Sequence, residues 1–175
     1  MGSRSHFAFD AEFDRVAAWA TANRAAVHDA AAAVLGPLEL VLDLPHNTYE
    51  RLPDGGAIIR KGAVRVTPGD VNIIPSHIAG DAALARATDR VADTLFSLSH
   101  GTGRAMSRAA SKALADGYDF AHLRERVRIP AGVQDASLRT DGPFAYRDLD
   151  ACLGLLEGYV EGVERFAVVG YMGHL

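Results

Sequence analysis

Between residues 10 and 35, apolar side chains return at helical spacing: Phe13, Val16, Ala17, Ala20 and Val27 predict one long helix or a broken pair, stopped by Gly36-Pro37. Leu38 to Leu44 (LELVLDL) reads as a short β-rich segment closed by Pro45. Asp54-Gly55-Gly56, between Thr48–Leu52 and Ala57–Arg60, predicts a hairpin. Val64 to Thr67 alternates as a strand does, Pro68-Gly69-Asp70 turns the chain, and Val71 to Ile74 forms a further strand before Pro75. The pattern then returns to helix from Asp81 to Leu98, with Leu95–Leu98 open to a strand reading. Met106 to Ala115 predicts a helix that stops near Gly117, and Val127 to Ile129 a strand. Asp148 to Tyr159 predicts an amphipathic helix with an acidic residue at its start, where the helix dipole favours an anion. Val160 to Val169 is open to helix or strand. With no internal repeat, low-complexity linker or compositional break, the expectation is one α+β domain over residues 1–175, mixed short strands with packed helices.

Composition narrows the class. A chain of 175 residues, 49% hydrophobic and 23% charged, can bury about 70% of its unfolded surface without disulfides or a structural metal. Its single cysteine, Cys152, excludes an internal disulfide and any multi-cysteine metal knuckle. No apolar run approaches the roughly 18 residues of a membrane span. The opening MGSRSHFAFD lacks the apolar stretch of a secretory signal, so a cytoplasmic location is expected. A net charge of −4 excludes nucleic-acid binding through bulk charge, though not through a local basic groove. Of the basic residues only Lys61 and Lys112 are lysines, and arginines gather at Arg104, Arg108, Arg124, Arg126 and Arg128.

Three segments carry candidate chemistry. In Ser99-His100-Gly101-Thr102-Gly103-Arg104, two glycines follow an apolar run and precede a helix, so backbone N–H groups can approach an anion closely. Arg104 and Arg108, one helical turn apart, add charge-assisted donors for phosphate oxygens. A histidine at the mouth of such a loop can bind metal, shuttle a proton or attack phosphorus, since imidazole is largely neutral near pH 7. The plain alternative is a glycine turn with a surface histidine. In Pro45-His46-Asn47, a histidine at a strand end is placed to ligate metal, and the asparagine to hydrogen-bond phosphate or base; an ordinary loop histidine with a turn-forming asparagine is the alternative. Arg60-Lys61-Gly62-Ala63-Val64-Arg65 is either a solvated hairpin edge or a phosphate-facing strap. His6, His28, His122 and His174 have no neighbours that suggest chemistry.

In this order the segments resemble the C-terminal half of the RtcB family of RNA ligases. Trp19–Arg24 resembles the family's helix with a "YA…NR" pattern, and Leu42–Asn47 its "…D…HN" strand end. Arg60-Lys61-Gly62-Ala63 repeats "RKGA", and Ile73-Ile74-Pro75-Ser76 lies where the family has "IIPGSM". Ser99–Arg108 is similar to "SHGAGRxMSR", and Ala145–Asp150 to "AYKDID". The resemblance covers nearly the whole chain.

The resemblance implies an enzyme that uses GTP and Mn²⁺ to join RNA ends bearing a 3′-phosphate or 2′,3′-cyclic phosphate to a 5′-hydroxyl. It implies that His100 is the nucleophile that takes up GMP, and that His46 ligates manganese. Asn47, Pro75, Ser76, His77, Gly101, Thr102, Gly103 and Tyr146 would then contact the nucleotide, with Arg60, Lys61, Arg104 and Arg108 facing phosphate or RNA. Several positions depart from the family pattern. The N-terminal half, with the Asp, Cys and His ligands that complete the metal sites, has no counterpart, and Cys152 does not replace the missing thiolate. The family's "PGSM" reads Pro75-Ser76-His77-Ile78, a later loop serine is Ala82, and the near-terminal lysine has no equivalent in Tyr171–Leu175. His77 is open to metal ligation or to no role. The resemblance therefore predicts a chain incomplete in isolation, which forms a homo-oligomer or binds a partner carrying the missing half. The alternative is a shortened, non-catalytic relative that binds nucleotide or RNA.

Overall fold

The computed structural model describes residues 4–171, and the chain end that lacks the family lysine, His174 included, lies outside them apart from Tyr171. The first element is the long helix α1, Arg4–Leu35. Gly36 ends it in the left-handed conformation (φ +91°), donating to Ala32 O at 2.9 Å. The LELVLDL segment is not a strand: it has no ladder partner among the described residues. Instead it is tied to the helix by the Arg24–Asp43 ion pair, at 2.5 Å. α1 meets the rest of the chain through Tyr49, whose ring lies edge-on to Phe9 at 5.2 Å.

The predicted hairpin forms as β1 (Asn47–Arg51) and β2 (Ala57–Lys61), with Asn47 opposite Lys61. β3 (Ala63–Arg65) pairs with β6 (Ser97–Ser99), antiparallel, Ala63 opposite Ser99. β4 (Val71–Pro75), β5 (Asp81–Ala87) and β7 (Val160–Ala167) form a three-stranded antiparallel sheet with β5 in the centre. The helix expected over Asp81–Leu98 is thus replaced by β5, a 3₁₀ turn at Asp89–Thr94 and β6. Alanine favours helix locally, but Ala83, Ala85 and Ala87 are buried at alternate positions and β5 is paired on both edges. The two ladders and the small side chains' close packing outweigh a propensity of under ~1 kcal/mol per residue.

The remaining helices are short: α2 (Arg108–Leu114), α3 (Phe120–Arg126), α4 (Asp135–Leu138) and α5 (Leu149–Leu155). α3 and α4 have no counterpart in the periodicity reading, and the strand expected at Val127–Ile129 amounts to one bridge, Arg128 to Gly170. Ser107, Asp119 and Asp148 each cap a helix by accepting a backbone N–H, which explains why these helices begin where they do. The core is three small clusters: one around Leu123, Val127, Val133 and Leu138, one around Val64, Val66, Val91 and Leu98, and one of Ile74, Ala83 and Leu149. The fold is α+β, with mixed short strands and packed helices.

Candidate functional site

The site is organised around Gly62. A chain running from β2 into β3 changes pairing partner, from β1 to β6, at this residue. Gly62 N–H donates to His46 O at 2.8 Å, and Gly62 O accepts from His100 N–H at 3.4 Å. Its φ of +76° is the left-handed conformation that glycine tolerates. A side chain there would also crowd His100, since a Cβ would lie 3.3 Å from His100 Nε2. One glycine thereby joins two strand ends 54 residues apart in number and sets two imidazoles face to face. The rings of His46 and His100 stack with centroids 4.5 Å apart and planes 8° from parallel. Asn47 Nδ2 lies 3.4 Å from His46 Nε2. Burial first, and the neighbouring His46 second, push the His100 imidazole below its ordinary pKa, so it is neutral and keeps a free lone pair at pH 7. His46 and Asn47 are exposed and face a cleft of about 350 Å³ between α1 and β1, walled by Phe13, Thr21 and Tyr49.

The loop after His100 is strapped to β4. Fully buried Asn72 donates to Ser99 O at 2.9 Å, ahead of the histidine, and Thr102 N–H donates to Pro75 O at 3.0 Å, behind it. Gly101 passes so close to Pro75 that a Cβ would lie 3.0 Å from its carbonyl oxygen. Further on, Arg147 N–H donates to Gly103 O at 3.0 Å and Ala105 N–H to Ala145 O at 2.9 Å. These bonds bring Tyr146 alongside Arg104.

Pro75, Ser76, His77 and Tyr146 line a second open cleft of about 290 Å³, together with Asp141 and Tyr171. Ser76 Oγ donates to Asp81 O at 2.7 Å, closing the loop on itself. His77 Nδ1 accepts from Ala79 N–H at 3.3 Å, and burial, then Arg126, hold this imidazole below its ordinary pKa against the opposing pull of Asp148 and Asp81. Tyr146 OH donates to Asp141 at 3.0 Å, and burial, then that carboxylate, raise the phenol's pKa. The predicted residues therefore fall into two groups, His46–Asn47–His100 and Pro75–His77–Tyr146, joined by the Gly101–Gly103 backbone.

Two of the arginines expected to face phosphate are bonded inside the fold. Arg60 is turned inward, 4% exposed, donating to Ser97 Oγ at 2.9 Å, Glu50 at 2.7 Å and Leu95 O at 2.9 Å. Arg104 donates to Met106 O, Thr140 O, Asp141 and Ser111 Oγ, and its guanidinium lies 5.1 Å from the Tyr146 ring centre. Both bind the fold together. Lys61 and Arg108 are exposed and make no ion pair among the described residues. The sequence reading missed Asn72, Asp141 and the structural duty of Gly62; Gly62 stood inside "RKGA", where the adjacent cations drew the interpretation.

The manganese implied by the resemblance does not fit this chain alone. Among the described residues no three His, Cys, Asp or Glu side chains come together as a metal site, and the ion requires several N or O ligands. Cys152 is half-buried on α5, its Sγ directed to Thr102 O at 3.6 Å, away from His46's cleft lining.

A sequence model of the family described as tRNA-splicing ligase RtcB matches residues 5–173. Two curated relatives from Escherichia coli, "RNA-splicing ligase RtcB" of strain K12 and "RNA-splicing ligase RtcB1" of another strain, are each 32% identical over 107 residues. The match takes in 59% of this chain and 24% of each relative, so the chain aligns with about a quarter of their length. With nearly every described residue inside the family match, the histidine pair and its glycine loop belong to a protein of the RtcB family.

Proposed function

We propose that this chain is the His100-bearing part of an RtcB-type RNA ligase, which takes GMP from GTP onto His100 and passes it to an RNA 3′-phosphate for joining to a 5′-hydroxyl. The observation that carries this reading is the neutral His100 imidazole stacked on His46 over Gly62. In the first step a His100 ring nitrogen bonds to the α-phosphorus of GTP, the bond from that phosphorus to the bridging oxygen breaks, and pyrophosphate leaves. A neutral imidazole supplies the electron pair without a separate base. The loop glycines let backbone amides approach the phosphate. GMP then passes to the RNA 3′-phosphate and is displaced by the 5′-hydroxyl. His46 would contribute one ligand to a manganese site whose other ligands come from polypeptide beyond the described residues, and no step above is assigned to the metal.

The surface supports incompleteness. The accessible area is 11501 Å², against about 8,200 Å² expected for a compact monomer of 18.6 kDa. The excess of about 3,300 Å² is more than one partner's share of a large obligate interface, about 1,000–2,500 Å². Trp19, Val34, Val41 and Leu155 are among the exposed apolar side chains. Further chain, in the same polypeptide, a second copy or a separate partner, would cover them.

A second reading, a nucleotide- or RNA-binding relative without ligase activity, is favoured by the lack of a metal cluster among the described residues and by Ser76, whose hydroxyl is consumed within its own loop. Intact-mass analysis after incubation with GTP and Mn²⁺, with and without the N-terminal part of a family ligase added in trans, separates the two. An acid-labile GMP adduct that is absent from His100→Ala is expected. No adduct under either condition, with nucleotide or RNA still bound, supports the second reading.

A further inference from the structure

We propose that Arg147 is a phosphate-binding residue at the mouth of the Ser99–Arg104 loop, a role that rests on the ligase reading for its ligand. Arg60 and Arg104, the loop-side arginines that the sequence offers, are consumed by internal hydrogen bonds. Arg147 is exposed and makes no ion pair or side-chain hydrogen bond among the described residues. Its backbone is pinned, because its N–H donates to Gly103 O at 3.0 Å. Its guanidinium folds back over the same glycine, with Nη1 2.9 Å from where a Gly103 Cβ would be. Gly103 adopts φ +70°, so the absent side chain permits both the left-handed turn and the close approach of the cation.

Gly103 N–H and Arg104 N–H donate to no acceptor among the described residues. Two consecutive free amides at a left-handed turn are the elements of an anion-binding concavity, and a guanidinium beside Gly103 supplies the charge. An arginine held at its backbone is suited to a phosphate oxygen, since its fork donates two bonds in a fixed geometry. Two sources carry that chemistry here, the phosphates of GTP and the terminal phosphate of an RNA 3′ end.

The test is fluorescence-anisotropy binding to the full chain of three probes: a labelled single-stranded oligoribonucleotide ending in 3′-phosphate, the same oligonucleotide ending in 3′-hydroxyl, and a fluorescent GTP analogue. Wild type is compared with Arg147→Ala, Arg147→Lys and Arg15→Ala, the last removing one exposed charge from α1. Loss of one charge-assisted contact predicts about tenfold weaker binding of the phosphate-bearing probe for Arg147→Ala. For single-stranded RNA the slope of log K against log salt should also fall by about 0.7. Arg147→Lys should restore the slope but only part of the affinity, and Arg15→Ala should change neither. A loss confined to the 3′-phosphate RNA identifies the RNA end, and a loss confined to the GTP analogue identifies the nucleotide; either supports the assignment. Equal small losses for Arg147→Ala and Arg15→Ala overturn it while leaving the ligase reading intact. A wild-type chain that binds none of the probes, either alone or with the N-terminal part of a family ligase added, overturns both.

Discussion

Gly62→Ala is the substitution that separates a backbone hinge from an incidental glycine. Alanine at φ +76° occupies the left-handed region, which costs about 1–2 kcal/mol for a residue with a Cβ. The new methyl would lie 3.3 Å from Nε2 and 3.4 Å from Cδ2 of His100, so the imidazole has to yield by a few tenths of an ångström. Alanine also restricts the unfolded chain, which returns about 0.4–1 kcal/mol. The net expectation is a loss of about 1 kcal/mol, or about 2–4 °C in Tm for a domain of this size. The more telling consequence is local: the stacked pair, at 4.5 Å and 8°, should open. Thermal denaturation followed by circular dichroism measures the first effect. The Cε1–H proton resonances of His46 and His100, which feel each other's ring current only while stacked, measure the second. An unchanged Tm together with unchanged histidine resonances would refute the idea that Gly62 sets the pair. An unchanged Tm with shifted resonances would show that the strain estimate is too high and the positioning role correct.

Arg60→Met should cost about 2 kcal/mol in urea denaturation, because it leaves Leu95 O, the Ser97 hydroxyl and Glu50 without their buried donor; a phosphate-facing arginine would leave stability unchanged and weaken RNA binding instead. The lowered pKa of His77 means that the fold favours its neutral form, so the unfolded chain takes up the extra proton first. Stability should therefore fall as pH drops from about 7 through the ordinary histidine range towards the depressed folded value, and His77→Gln should flatten that part of the urea-denaturation profile against pH. Light scattering of the purified chain should give a mass above the monomer, or a monomer that binds a hydrophobic dye strongly, because of the uncovered apolar area. A monomer with little dye binding contradicts that expectation.

Local signals in the sequence were sufficient wherever local physics decides the outcome. The Asp54-Gly55-Gly56 turn sits between strands that pair as the residue pattern implies, and Gly36-Pro37 ends α1. The elements that were not legible depend on distant partners. Asp81–Ala87 contains four alanines and reads as helix until β4 and β7 are supplied, and those strands lie on opposite sides of it in the chain. Val160–Ala167, open to either reading, becomes a strand because β5 offers an edge. LELVLDL has the composition of a strand and no ladder partner among the described residues. The duties of the cations were not legible in the motifs. Nothing in RKGA distinguishes an arginine facing solvent from one buried against Glu50 and Leu95 O.

That distinction bears on how the site can work. A phosphate cradle needs cations that are not already neutralised, and desolvated Arg60 has exchanged its water for three internal acceptors. Moving it towards a ligand would leave Glu50, whose carboxyl it holds below the usual range, with exposed Arg65 as its remaining partner. Under the proposed function, the electrostatics of anion binding would therefore come from groups whose bonds inside the fold are few: Lys61 and Arg108 at the surface, Arg147 beside Gly103, and the loop amides. The metal side is constrained in the same way. His46 can give one lone pair, while that of His100 is assigned to phosphorus, and a divalent ion's remaining positions require carboxylate, thiolate or further imidazole donors, which no described cluster supplies. His46 lies exposed beside a cleft whose opposite wall is α1, a helix carrying exposed Val16, Trp19 and Val27. Val16 and Trp19 line a different concavity from the Phe13–Ala17–Thr21 wall of that cleft, so a segment that covers them and also supplies donors to His46 would have to wrap around the helix. An added segment that restores adduct formation while suppressing dye binding would be such a wrap, and one that does either without the other would separate the two requirements.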